Sequence, residues 1–150
     1  MGKMPLRVIV HIDGGSRGNP GLAGAGVVVT DASDNMDLYE GGVFIGRATN
    51  NIAEYRGLLA GLTAARDLKA DQVEIVSDSE LLVRQMTGMY RVRNAGLQPL
   101  YRQAKALAGG FETCTFRHVR REQNTRADAL ANRAMDLRRN VEDAAGPAGD

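Results

Sequence analysis

The 150 residues include no tryptophan, a single cysteine, Cys114, and two histidines. A lone thiol closes no internal disulfide and has no companion at metal-ligand spacing, so it marks neither a secreted framework nor a zinc site. Cys114 reads as a core residue. Long apolar runs are also missing: the hydrophobic stretches break far short of the roughly 20 residues that span a bilayer. The opening MGKMPLR leads into no signal-peptide apolar region. The expectation is a cytoplasmic, monomeric protein without a membrane partner. Net charge is only +1, which by itself selects no partner.

With 43% hydrophobic residues, the chain suffices for one domain with a substantial core and is too short for two. Its expected organisation is an N-terminal extension over 1–6, a domain over 7–138 and a flexible tail or linker over 139–150, the last from the composition of NVEDAAGPAGD. Charge is unevenly spread. Residues 81–111 hold Arg84, Arg91, Arg93, Arg102 and Lys105 without an acid, whereas 31–40 hold Asp31, Asp34, Asp37 and Glu40 without a base. This allows a polyanion to approach one side, although an ordinary solvated basic face explains it as well.

Residues 7–13 and 25–30 read as buried strands with a glycine-rich turn between them, and 38–46 as a third. Residues 51–68 carry apolar side chains at helical spacing. A strand follows over 72–78, then short helices over 79–88 and 97–110, a last strand over 112–119 and a last helix over 125–139. The order is β-β-β-α-β-α-α-β-α. The helix between strands three and four makes a crossover, so part of the sheet is parallel. The expected fold class is α/β, a mixed five-stranded sheet with three antiparallel and two parallel strands, flanked by helices.

HIDGGSRGNPG, residues 11–21, joins a strand to glycines around one acid, Asp13. Its spacing fits neither dinucleotide nor P-loop glycine patterns, and a strand rather than a helix follows it. A carboxylate leaving a strand is instead a hard oxygen ligand suited to Mg²⁺. Three more acids hold comparable positions: Glu54 in the first turn of the long helix, Asp78 ending the fourth strand and Asp128 in the first turn of the last helix. Each has an ordinary structural reading. Asp13 fits an Asx-turn, Asn51-x-x-Glu54 and Thr125-x-x-Asp128 fit capping boxes, and Asp78 fits an N-cap. Those readings do not predict four acids converging on one edge of the sheet. Two neighbouring strand-end aspartates repel at neutral pH unless a cation lies between them.

The motifs DGGSRGNPG (13–21), TNNIAEYRGL (49–58), SDSELL (77–82), RNAGLQPLY (93–101) and REQNTRADALA (121–131) together resemble the type 1 ribonuclease H family, in a likeness running over residues 8–135. The resemblance implies a ribonuclease H-like fold and an endonuclease that hydrolyses the RNA strand of RNA/DNA hybrids, leaving 5′-phosphate and 3′-hydroxyl ends. Asp13, Glu54, Asp78 and Asp128 match the family's catalytic, metal-binding acids. Two Mg²⁺ ions roughly 3.5–4 Å apart, or Mn²⁺ in their place, suit an in-line displacement. Asn19, Asn50 and Asn51 match positions that contact the RNA strand in the minor groove, where amides read 2′-hydroxyls. Thr49 and Asn94 match positions that hold a phosphate of the DNA strand; apart from the family they read as a turn threonine and a helix N-cap.

Three departures qualify the match. No histidine stands in the loop before the last helix, and Arg121 or Glu122 is nearest the vacant place; Arg121 is favoured because a cation can contact the scissile phosphate. His118 precedes that loop in strand five, and His11 packs on the sheet. A basic, tryptophan-bearing protrusion found in some relatives is replaced by TGMYRVR. Hybrid binding then rests on Arg91, Arg93 and Tyr90 and is salt-sensitive. Glu80 stands where a glutamine is common, either supporting the metal site or loosening base contacts. RNA/RNA duplexes are a second partner that the sequence leaves open, and a non-catalytic module binding hybrids or double-stranded RNA is the alternative to an enzyme.

Overall fold

The computed structural model describes residues 4–143. The first three residues of the expected N-terminal extension and 144–150 of the expected tail lie outside them. The elements are β1 (Arg7–Gly18), β2 (Gly21–Asp31), β3 (Asp37–Ala48), α1 (Asn50–Asp67), β4 (Gln72–Ser77), α2 (Glu80–Met86), α3 (Gln98–Ala108), β5 (Thr113–His118), α4 (Thr125–Leu137) and β6 (Val141–Asp143). A 3-10 turn, Arg121–Gln123, precedes α4. The sheet order is β5-β4-β1-β2-β3-β6. β1, β2, β3 and β6 pair antiparallel, while β4 lies parallel between β1 and β5. The expected α/β class and mixed sheet are present.

Strand alternation decides what covers each face. Val8, Val10 and Ile12 of β1, with Val27 and Val29 of β2, enter the main core beside Tyr55, Leu58 and Leu62 of α1. Backbone closes in from the other side, where Gly24 and Gly26 of β2 lie against the carbonyls of Ala131 and Ala127. Thus α1 covers one face of the sheet and α4 the other. Among the described residues no helix is long and apolar enough to cross a membrane.

The structure departs from the expected pattern in two places. Residues 14–18 and 21–24 are paired strand rather than loop, with Gly14 to Gly18 of β1 opposite Ala25 to Gly21 of β2. Glycine carries no apolar alternation, so a ladder held by main-chain bonds leaves no side-chain period to read. The turn itself is confined to Asn19 and Pro20, and Gly18 enters it at φ +111°, a conformation that favours glycine. The second departure is a sixth strand, where a tail was expected from residue 139. Asn140 Oδ1 accepts from the Phe44 amide at 2.8 Å, Val141–Asp143 pair with Gly42 to Glu40, and the Tyr39 hydroxyl donates to Glu142 at 2.9 Å. Three paired residues are too few to show strand periodicity in a polar segment.

Candidate active site

Parallel pairing between β1 and β4 ends at Ile12 and Ser77. The next residue on each strand is an aspartate, Asp13 and Asp78, so the two carboxylates are neighbours at the carboxyl end of the parallel pair. α1 brings Glu54 from one face and α4 brings Asp128 from the other. All four line one open cleft of about 410 Å³, together with Asn50, Asn51 and Arg121.

The capping roles open to these acids are taken by their neighbours. Thr49 caps α1, its Oγ1 accepting from the Ile52 amide at 3.2 Å. The helix begins at Asn50, so Glu54 stands beyond the first turn rather than in it. Ser79 caps α2, accepting from the Leu82 amide at 3.2 Å, and its hydroxyl also donates to Glu54 Oε1 at 3.2 Å. Asn124 is the N-cap of α4, so Thr125 is not. The acids are therefore left facing the cleft.

Electrostatic strain is concentrated there. Burial, the Asp78 charge and contact with the Asp128 carboxyl push Asp13 well above the usual carboxylate range. Burial raises Glu54 to about 7, opposed by the Ser79 hydroxyl and by the more distant Arg121 charge. Asp78 is also raised, mainly by burial, with Arg121 opposing. Among the described residues no three His, Cys, Asp or Glu side chains close into a ready-made metal cage; the four acids stand around an open cleft. Four hard oxygen donors in a half-buried setting nevertheless suit Mg²⁺, because a divalent cation relieves the repulsion that burial intensifies.

The other expected contacts divide. Asn50 and Asn51 line the cleft, and Asn50 Oδ1 accepts from the Ser16 amide at 2.8 Å. Asn19 lies at the hairpin tip, its Oδ1 accepting from the Asn50 amide at 3.2 Å, so it ties the tip to the start of α1. Asn94 closes an Asx-turn onto the Gly96 amide at 2.7 Å ahead of α3 and is not its N-cap. Thr49, Asn94, Arg91 and Arg93 lie outside the cleft lining, and the two arginines are exposed between α2 and α3. Glu80 turns to Arg84, an ion pair of 2.6 Å, and Arg84 in turn lies 5.5 Å above the Tyr90 ring. His118 is exposed. Arg17, Asn132 and Met135 also line the cleft and were not singled out from sequence. Arg17 sits inside the quoted motif, and Asn132 lies one helical turn beyond Asp128, which is the signal that could have found it.

A mixed sheet carrying acids from two parallel strands and from a helix on each face defines the ribonuclease H-like class of α/β proteins. Residues 11–134 match the family described as reverse transcriptase-like. The chain is 50% identical over 131 residues to a bifunctional protein of Mycobacterium tuberculosis, covering 87% of this chain and 36% of that one. It therefore spans about a third of the length of such curated relatives. The N-terminal ribonuclease H domain of that protein superposes with a TM-score of 0.85, covering 88% of this chain and 95% of that chain. Ribonuclease HI of Halobacterium salinarum is 45% identical, covering 87% of this chain and 65% of its own sequence. Its crystal structure gives a TM-score of 0.84, with 87% and 98% of the two chains covered. The ribonuclease H1 called LC11, crystallised with an RNA/DNA hybrid, is 40% identical at a TM-score of 0.81, covering 87% and 98%. This chain belongs to the type 1 ribonuclease H family.

Proposed function

We propose that the protein is a metal-dependent endonuclease that hydrolyses the RNA strand of RNA/DNA hybrids, leaving 5′-phosphate and 3′-hydroxyl ends. The observation that carries this is the meeting of Asp13 of β1, Glu54 of α1, Asp78 just past β4 and Asp128 of α4 in one cleft. The likeness to a hybrid-bound ribonuclease H1 supports the substrate.

In this reading the four acids hold Mg²⁺, with Mn²⁺ as a substitute. When bound, such ions supply activation of a water and stabilisation of the leaving oxygen in an in-line displacement. Ser79 orients Glu54 through its hydroxyl. Arg121, exposed at the 3-10 turn, places its guanidinium on the scissile phosphate. Asn50 and Asn51 read the 2′-hydroxyls of the RNA strand, and Asn19 positions them from the hairpin tip. Arg91 and Arg93, outside the cleft, hold the backbone of the hybrid. Thr49 and Asn94 present the groups that receive a DNA-strand phosphate while shaping the starts of α1 and α3.

An end-labelled RNA/DNA hybrid is incubated with the protein and with Asp78→Asn in Mg²⁺, Mn²⁺ and EDTA, beside single-stranded and all-RNA controls. Metal-dependent internal cuts in the RNA strand that vanish in the variant are expected. Tight hybrid binding with no cutting in any metal would sink the enzyme reading and leave a binding module in its place.

A further inference from the structure

Among the described residues four carboxylates line the cleft, but only two cations do, Arg17 and Arg121. A polyanion laid across that acid centre needs positive charge on its flanks. Arg121 stands on the loop before α4, and Arg17 stands on β1 four residues beyond Asp13. Alternation puts residues 13, 15 and 17 on one face, the face that α4 covers. At a strand rise of about 3.3 Å per residue, Arg17 lies roughly 13 Å along the strand from Asp13. A phosphate it meets is therefore a neighbour of the scissile one and not the scissile phosphate itself.

The guanidinium is held by one corner. Arg17 Nη2 lies 2.7 Å from Asp136 Oδ1 and donates to Asn132 Oδ1 at 3.1 Å and to the Asn132 carbonyl at 3.4 Å. Among the described residues Nη1 and Nε have no protein partner, which leaves one edge of the fork for a bidentate anion. Asn132 is itself anchored, its Nδ2 donating to the Asp128 carbonyl at 3.0 Å. The arm is thus referenced to the helical turn that carries a site acid. As a structural clamp the pair is weak, because the side chains of Arg17 and Asp136 are 42% and 65% exposed, and ion pairs so open add little to folding.

We propose that Arg17 is a substrate-binding residue that grips a phosphate of the RNA strand adjacent to the one cleaved, with Asp136 and Asn132 positioning its fork. This deepens the hybrid-cleavage reading and rests on it. Arg17 supplies charge on the hairpin side as Arg121 does on the loop side.

The test uses the full chain and a labelled RNA/DNA hybrid, with cleavage kinetics in Mg²⁺ and with binding by anisotropy in EDTA. Arg17→Ala is expected to raise KM about tenfold with kcat nearly unchanged, the size of one charge-assisted contact. The slope of log affinity against log salt should flatten by about 0.9, as for the loss of one neutralised phosphate contact. Arg17→Lys should recover part of the loss, and Asp136→Asn, which keeps an acceptor and removes the competing charge, should lower KM. A neutral methylphosphonate placed singly in the RNA strand next to the cut should weaken the parent protein and leave Arg17→Ala unaffected.

Unchanged KM and salt slope in Arg17→Ala would overturn the proposal. So would equal rises in KM for Arg17→Ala and Asp136→Asn accompanied by equal losses of melting temperature, which would make the pair a clamp between hairpin and helix. The two readings fail separately. A parent protein that binds hybrid without cutting it defeats the enzyme, while the anisotropy of Arg17→Ala still decides the contact. A parent that binds no hybrid defeats both.

Discussion

Asn124 Nδ2 donates to the Ile12 carbonyl at 2.7 Å, tying the start of α4 to the strand residue just before Asp13. The Asn124 carbonyl in turn accepts from the Asp128 amide at 3.2 Å. One buried asparagine therefore sets the distance between two of the four acids. Its Oδ1 has no partner among the described residues, so the single Nδ2 bond carries the placement. Asn124→Ala should cost about 1–3 kcal/mol of stability, the penalty of a lost buried hydrogen bond. Its cleavage rate should fall in kcat more than in KM. Urea unfolding and single-turnover kinetics on the same samples check both.

Two glycines set how closely the helices approach the sheet. A Cβ on Gly14 would strike the Ala53 carbonyl of α1, and one on Gly26 would strike the Ala127 carbonyl of α4. Gly14→Ala should push Glu54 away from the cleft and Gly26→Ala should push Asp128, each at about 1–3 kcal/mol, as for other overpacked interiors. Gly15→Ala meets nothing within 4 Å and should leave the melting temperature unchanged. Thermal melts of the three variants separate close approach from a general intolerance of alanine in this motif.

The raised acids make a pH prediction for metal-free protein. Glu54 is shifted from 4.5 to about 7 in the folded chain, and Asp13 is shifted upward too. Between the unfolded and folded values the native state binds more protons than the unfolded one, so stability falls as pH rises through that window. In EDTA the stability these groups contribute should be fully present below about pH 4 and should be lost as pH rises to 8, with Glu54 alone accounting for roughly 3 kcal/mol. Glu54→Gln should flatten the profile and stabilise the metal-free protein at pH 8. Saturating Mg²⁺ should restore the parent's stability there, since a ligand that binds only the native state stabilises it. Urea titrations at each pH, with and without metal, read out all three.

The exposed arginines between α2 and α3 make the fourth prediction. Arg91→Ala and Arg93→Ala should each raise KM for hybrid while leaving kcat and the melting temperature near those of the parent. Each should also flatten the salt dependence of binding by about 0.9 if it neutralises one phosphate. Equal loss of kcat in either variant would move that residue from backbone grip to the chemistry.

Local pattern made most of the elements legible. Strands β1 and β4 announce themselves by β-branched runs and α1 by helical spacing; β4 and α1 end within a residue or two of where the pattern predicts, whereas β1 runs on through the glycines to Gly18. The acids could be named because aspartate at a strand end and glutamate near a helix start are visible in one dimension. The extended hairpin was hidden because glycine pairs through its main chain and shows no period. β6 was hidden because three residues, a valine and two acids, gain their place only from an open edge on β3.

The capping residues show the same limit. Thr49 and Ser79 take by side chain the helix starts that sequence spacing also offered to Asn51 with Glu54 and to Asp78, while Asn124 holds the N-cap position of α4 without a side-chain cap bond. Tertiary packing decides between them: at α4 the Asn124 side chain is drawn to the Ile12 carbonyl of β1 rather than to its own helix start.

The sequence by itself determined most of the strands and helices and named the four carboxylates Asp13, Glu54, Asp78 and Asp128, because propensity and periodicity are local. Only the tertiary structure decided that Asp13 and Asp78 become neighbours where the parallel pairing stops, and that Arg17 reaches Asp136 across 119 positions of chain. Those relationships depend on sheet order and on the close approach of helix to strand, which no stretch of sequence encodes alone.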